Sequence, residues 1–175
     1  MAVPPRRPPP PSLDSASLER LALRYVERFA TTRGKLAEYL RRKVRERGWD
    51  GPAPEVAALA ERMAELGYVN DRAYAEAKAV ALTRRGLGAR RVGLALRQAH
   101  VGEDDAAAVQ PRLADEATEA ALAFARRKRI GPFGDGGTDR ALREKQLAQL
   151  LRAGHPFELA RRIVVAAPGD DLDEG

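Results

Sequence analysis

The residues with chemistry to offer in this chain are cations. From Arg84 to Arg97 it reads RRGLGARRVGLALR, with five arginines and no acid around Gly86 and Gly88. Arg126-Arg127-Lys128-Arg129 form a second cluster, and Arg41, Arg42 and Arg45 a third. A guanidinium is planar, permanently charged and carries its donors in a fixed fork, which suits phosphates and carboxylates. It binds anions; it does not make or break bonds. Groups that could do so are sparse. His100 and His155 each fall where a helical stripe ends, without a cysteine or second histidine beside them, and read as turn or surface histidines rather than zinc ligands. Asp104-Asp105 opens a helix, where carboxylates favour the dipole, so it does not read as a catalytic pair. There is no GxxxxGKS loop, and Gly86-Leu87-Gly88 is too short for a dinucleotide fingerprint. The chain therefore reads as a binding protein and not an enzyme, with no metal and no cofactor.

Composition narrows the partners. The 175 residues include 31 basic and 25 acidic side chains, a net charge of +6 and a pI near 10.0. Twenty-six of the basic residues are arginine. That balance points to nucleic acid, or to a protein carrying it. There is no cysteine, which fits a reducing compartment. No apolar run approaches the roughly 20 residues of a membrane span, and MAVPPRRPPPP lacks the apolar core of a signal peptide. The expectation is a cytoplasmic monomer with no membrane contact.

Six of the twelve prolines lie in residues 1–11, so 1–14 is expected to be a disordered arm. Residues 168–175 carry four acids and no base, and are expected to be a disordered tail. Between them apolar residues recur at three and four. The stripes are Leu18–Phe29, Leu36–Val44, Val56–Leu66, Tyr74–Ala81, Val92–Ala99, Ala106–Leu113, Ala117–Phe124, Leu147–Leu151 and Phe157–Val164. These predict nine helices and an all-α fold. Pro54 and Pro156 mark first turns, Gly48, Gly67 and Gly154 mark C-terminal caps, and Asn70 and Thr138 mark N-caps. GPFGDGG at 131–137 must be a loop.

Three helix ends look alike. They fall at Gly48, His100 and Gly154, spaced 52 and 54 residues apart. This reads as a repeat of about 50 residues with three helices per unit, against the alternative that any helical chain yields such coincidences. The division is then 15–67, 68–114 and 115–167. Three stacked units predict an elongated, curved solenoid.

The motifs carry a resemblance. Gly67-Tyr68-Val69-Asn70-Asp71 with Tyr74-Ala75, then Arg85-Gly86-Leu87-Gly88-Ala89-Arg90-Arg91-Val92, Leu96 and His100-Val101, resemble the RecX family, regulators of the recombinase RecA. ARRKRIGPF at 125–133 and REKQLAQLLRAGH at 143–155 look like its alphaproteobacterial branch. His100 departs from the pattern, which has glycine there. The resemblance covers roughly 15–167. It implies three tandem three-helix repeats, a RecA filament on single-stranded DNA as partner, and restraint of recombinase, ATPase and coprotease activity. Single- or double-stranded DNA is a further candidate partner.

The arginines are consistent with such a surface. With Val92, Ala95, Leu96 and Ala99 buried, a rotation of about 100° per residue points Arg90 and Arg97 outward, with Leu94 on the same face. The same construction with Leu36, Tyr39, Leu40 and Val44 buried sends Arg41, Arg42 and Arg45 outward. Arg84, Arg85 and Arg91 would line the corner that Gly86 and Gly88 allow. The competing reading is that these are plain solvated faces. Tyr25, Phe29, Tyr39 and Phe124 lie on core stripes, and Trp49 is expected in the interior. Few stacking platforms would then remain for a naked strand, which favours a protein surface with phosphate nearby. Two rivals remain. A helix-turn-helix regulator acting on DNA without RecA needs one compact reader. A tetratricopeptide adaptor needs a period of about 34 residues.

Overall fold

The structure, a computed structural model, describes residues 11–134, 139–170 and 172. The arm over 1–10, residues 135–138 with the expected Thr138 cap, and most of the tail beyond 170 lie outside the described residues. The fold is all-helical: α1 (Ser15–Arg28), α2 (Arg33–Arg47), α3 (Val56–Glu65), α4 (Asp71–Arg84), α5 (Ala89–Gln98), α6 (Glu103–Ala107), α7 (Gln110–Asp115), α8 (Ala117–Lys128), α9 (Arg140–Arg152) and α10 (Phe157–Val165), with a 3-10 turn at Gly131–Phe133. The nine stripes map onto these helices, and Ala106–Leu113 is divided between α6 and α7. Pro111 causes the division. It lacks an N–H and would clash with the carbonyl of Ala107, so it is accepted only in the first turn of a new helix. Among the described residues the only β-type pairing is one isolated bridge between Leu13 and Trp49.

The chain forms two compact units, Met1–Asn70 and Asp71–Gly175. In the first, α1–α3 close over Leu18, Ala22, Leu36, Leu40, Leu59 and Met63. Asp14 and Ser17 build a reciprocal capping box at the start of α1, with bonds of 2.8 and 2.9 Å. Residues 11–14, placed in the arm by composition, are held in this unit. Leu13 is fully buried, its N–H donates to the Gly48 carbonyl at 3.0 Å, and its carbonyl accepts from Asp50 at 2.8 Å. Arg47 donates to the Pro11 carbonyl at 2.8 and 3.2 Å. Trp49 is half-buried against the core, and its Nε1–H donates to the Pro52 carbonyl.

The second unit has two apolar clusters. One gathers Ala75, Ala79, Leu82, Val92, Leu96, Val101, Val109 and Leu113 from α4–α7 and their loops. The other gathers Ala121, Phe124, Ile130, Leu150, Ala160 and Ile163 from α8–α10. Leu87 packs against both. Leu172, in the expected tail, is buried against the second cluster, and Arg162 donates to its carbonyl at 3.5 Å.

Five helices end in one way. Gly67, Gly86, His100, Arg129 and Gly154 have φ of +80, +75, +54, +53 and +96°. The N–H of each residue that follows reaches back five positions: Tyr68 to Met63, Leu87 to Leu82, Val101 to Leu96, Ile130 to Ala125 and His155 to Leu150. These are Schellman caps. His100 therefore stands where the backbone does require a left-handed residue. Gly48 ends α2 differently, with ψ near 169°.

The caps explain His155. The residue after a left-handed cap commonly packs inward, as Leu87, Val101 and Ile130 do, and His155 occupies that slot. It is fully buried, not on the surface. Its Nε2 lies 3.1 Å from the Gly86 carbonyl, an acceptor only, so Nε2 carries the proton, and Nδ1 has no partner among the described residues. Burial lowers its pKa, opposed by the smaller effect of the Gly86 hydrogen bond.

The same carbonyl marks a tight joint between α8, α9 and the loop before α5. A Cβ on Gly86 would lie 2.8 Å from the Phe124 nitrogen, and one on Gly88 would lie 2.4 Å from the Gly154 oxygen. A Cβ on Gly154 would meet the Arg91 nitrogen at 2.5 Å. Gly88 also donates to the Ala153 carbonyl at 2.9 Å. The Gly86-Leu87-Gly88 corner is thus pressed between α8 and the end of α9, a contact only glycine permits.

Two outcomes follow. Gly88→Ala should destabilise the fold by about 1–3 kcal/mol in urea unfolding. Gly102→Ala, which adds its methyl to open space at φ −62°, should change little. Stability should also fall with pH through His155. The unfolded chain takes up the imidazole proton near pH 6.5, while the folded chain takes it up only lower. The contribution is complete above about 6.5 and is lost as pH falls through the folded pKa. Melting temperatures from pH 7.5 to 5 should show this slope, and His155→Leu should flatten it.

Candidate functional site

All twelve residues of the three cationic clusters are exposed. Those of the second unit do not all share one cleft. In the second unit, Arg90, Arg91 and Arg97 on α5 line a cleft of about 680 Å³. Arg152 at the end of α9 joins them, Gln110 of α7 contributes, and Gly93, Leu94 and Leu151 add its apolar part. Leu94 therefore sits with the arginines, as the helical construction placed it. Position follows from the glycine joint: Gly88 and Gly154 in contact bring the last turn of α9 against the first turn of α5. Arg152 was missed in the sequence because its neighbours become visible only once that contact is known.

The charge in this cleft is uncompensated. Several arginines elsewhere pair with acids: Arg62 with Glu19 at 3.0 Å, Arg72 with Glu76 at 2.9 Å, Arg112 with Glu116 at 2.7 Å and Arg140 with Glu144 at 2.9 Å. No acidic side chain lines the cleft, and among the described residues none of its four arginines has an ion-pair partner. The arrangement can hold an anion with several guanidinium donors over an apolar floor. It offers no nucleophile, base or metal ligand.

Arg84, Arg85 and the 126–129 cluster lie outside that cleft. Arg127 donates to the Arg85 carbonyl and its Cζ sits 5.4 Å from the Phe124 ring centroid. Arg126 lies over Phe133 at 5.1 Å. Both side chains are engaged by the scaffold. Arg129 holds a left-handed cap as well as a charge.

In the first unit, Arg41 and Arg45 line a groove of about 610 Å³ with Val44, Pro54, Glu55 and Val56. Arg42 is not with them. Four residues of helix rotate Arg45 only about 40° from Arg41, whereas Arg42 is about 100° away. Its Cζ lies 5.6 Å from the Tyr39 ring and its Nε lies 3.7 Å from Glu46. Glu46 also takes a hydrogen bond from Lys43 at 2.6 Å, which holds its carboxyl below the usual range.

The aromatics differ from expectation in one respect. Tyr25 and Tyr39 are half-buried and Phe124 is buried, but Phe29 is 51 % exposed. It is the residue after α1, with φ −134°, so the helical stripe does not carry it into the core. Phe157, at the first position of α10, is also exposed.

No protein-family model matches the chain. It is 35% identical over 171 residues to Regulatory protein RecX of Myxococcus xanthus (strain DK1622), covering 91% of this chain and 90% of that protein. It is 30% identical over 162 residues to Regulatory protein RecX of Thermobifida fusca (strain YX), covering 90% and 84%. Its fold matches the crystal structure of RecX from Lactobacillus salivarius with a TM-score of 0.62, at 17% identity over 85% of this chain and 93% of that one. A second crystal structure of regulatory protein RecX matches with a TM-score of 0.60, at 19% identity over 85% and 72%.

An exposed, unpaired cation cluster adds little to stability. Replacing Arg90, Arg91, Arg97 and Arg152 together by glutamine should therefore leave the unfolding free energy within about 0.5 kcal/mol of the parent in urea titration. A loss of several times that would make the cluster structural.

Proposed function

Because the chain belongs to the RecX family of regulatory proteins, we propose that it regulates RecA. On this reading it binds RecA filaments on single-stranded DNA and restrains their ATPase, recombinase and coprotease activities, modulating recombination and DNA repair. It does so as a monomer in the cytoplasm, by binding alone and without a cofactor. The observation that carries the reading is the cleft of Arg90, Arg91, Arg97 and Arg152. Four like charges gathered without an acid repel one another, and an anionic partner offsets that repulsion. Leu94 and Leu151 between them suit an acidic protein surface or a DNA backbone better than a free inorganic anion.

Two experiments test it. RecA ATPase on single-stranded DNA, titrated with this protein, should fall toward a plateau; unchanged turnover at saturation would leave simple DNA binding as the better account. Arg90→Ala/Arg97→Ala should weaken filament binding by about 1–3 kcal/mol and flatten its salt dependence, since fewer counterions are released. Its melting temperature should match the parent. Gel shifts on duplex, single strand and RecA-coated strand at two salt concentrations separate a filament partner from DNA alone.

A further inference from the structure

The first unit carries an aromatic ladder that the arginine cleft does not explain. The Tyr25 ring stacks on Tyr39 with centroids 4.2 Å apart and planes 21° from parallel. Tyr25 also meets Phe29, at 5.2 Å and 48°. Both outer ends carry cations. Arg28 lies 5.7 Å from the Phe29 centroid, and Arg42 and Lys43 lie 5.6 and 5.8 Å from that of Tyr39. Arg42 and Lys43 share Glu46, whereas Arg28 has no acidic partner among the described residues. The ladder thus ends in a half-exposed ring beside a guanidinium that has no acidic partner among the described residues.

We propose that this ladder is a stacking site for the bases of single-stranded nucleic acid. Phe29 is half exposed and takes a base when the Arg28 guanidinium, which lies over its ring, swings to the adjacent phosphate. Tyr25 and Tyr39 hold the Phe29 ring from behind. Stacking on an aromatic face beside backbone-binding cations is how single strands are bound without regard to sequence. A duplex keeps its bases stacked on each other and offers no free face, so the site selects single strands. The ladder needs no RecA, and its test is independent of the regulatory reading.

The test uses the full chain alone at low salt. Fluorescence anisotropy compares a labelled oligothymidine, an abasic strand of the same length and charge, and a duplex. The abasic strand keeps every phosphate contact, including those the arginine cleft supplies, so only stacking separates it from oligothymidine. The parent should prefer oligothymidine to the abasic strand by about tenfold or more. Phe29→Ala should erase that preference while leaving abasic affinity unchanged, and Phe29→Tyr should keep it. Arg28→Gln should lower affinity for both strands and reduce the salt slope. If Phe29→Ala lowers the melting temperature, Phe29→Leu, which keeps apolar bulk without a ring, replaces it. Equal affinity of the parent for oligothymidine and abasic strands would overturn the proposal. So would a preference that survives loss of the ring. A protein partner at this patch would give the first of those results.

Discussion

The arginine cleft of the second unit depends on a close approach of main chain to main chain. Where Gly88 meets Gly154 there is no space for a side-chain carbon on either residue. That single contact sets the last turn of α9 beside the first turn of α5. It puts Arg152 within the same cleft as Arg90 and Arg91, and lets His155 reach the Gly86 carbonyl. The helices on either side close over separate apolar clusters, with Leu87 common to both. Packing gives the unit its mass of stabilising contact, but the two glycines decide where the halves meet, and so where the charge collects.

Histidine at 155 adds a polar constraint to a joint otherwise made by shape. A leucine would fill the same slot, as Leu87 does after Gly86. The imidazole also gives the Gly86 carbonyl a donor, which matters because a buried carbonyl without one is costly. Its second nitrogen stays without a partner among the described residues. The joint therefore exchanges one satisfied acceptor for one unsatisfied lone pair.

Much of this was legible in the sequence. The helices follow from apolar spacing, and Gly67 and Gly154 were readable as left-handed caps because little else tolerates that backbone. The family resemblance marked His100 as standing where the pattern has glycine, and its φ of +54° agrees. Three things were not legible. Pro111 divides a stripe that periodicity alone reads as continuous. His155 looks like a turn residue until the cap geometry turns it inward. Phe29 falls on the stripe of α1 by count, yet lies one residue past the last helical dihedral. Helical rotation pointed Arg41, Arg42, Arg45, Arg90 and Arg97 outward, and all five are exposed, but which arginines share a cleft depended on contacts between residues more than 60 positions apart, such as Gly88 with Gly154. Spacing along one helix cannot supply that.

The cleft cations are all guanidinium groups; none of the chain's five lysines lines it. A guanidinium keeps its proton at any pH a cell experiences. The cleft therefore holds the same charge in mildly acidic and alkaline surroundings alike. It is equally indifferent to acylation, which silences lysine amines and leaves arginine untouched. On the proposed reading, a partner held there would be released by dilution, by salt or by a competing polyanion. Neither protons nor acetyl groups switch the charge off, so the proposed contact would answer to how much protein is made and to what else is present to compete.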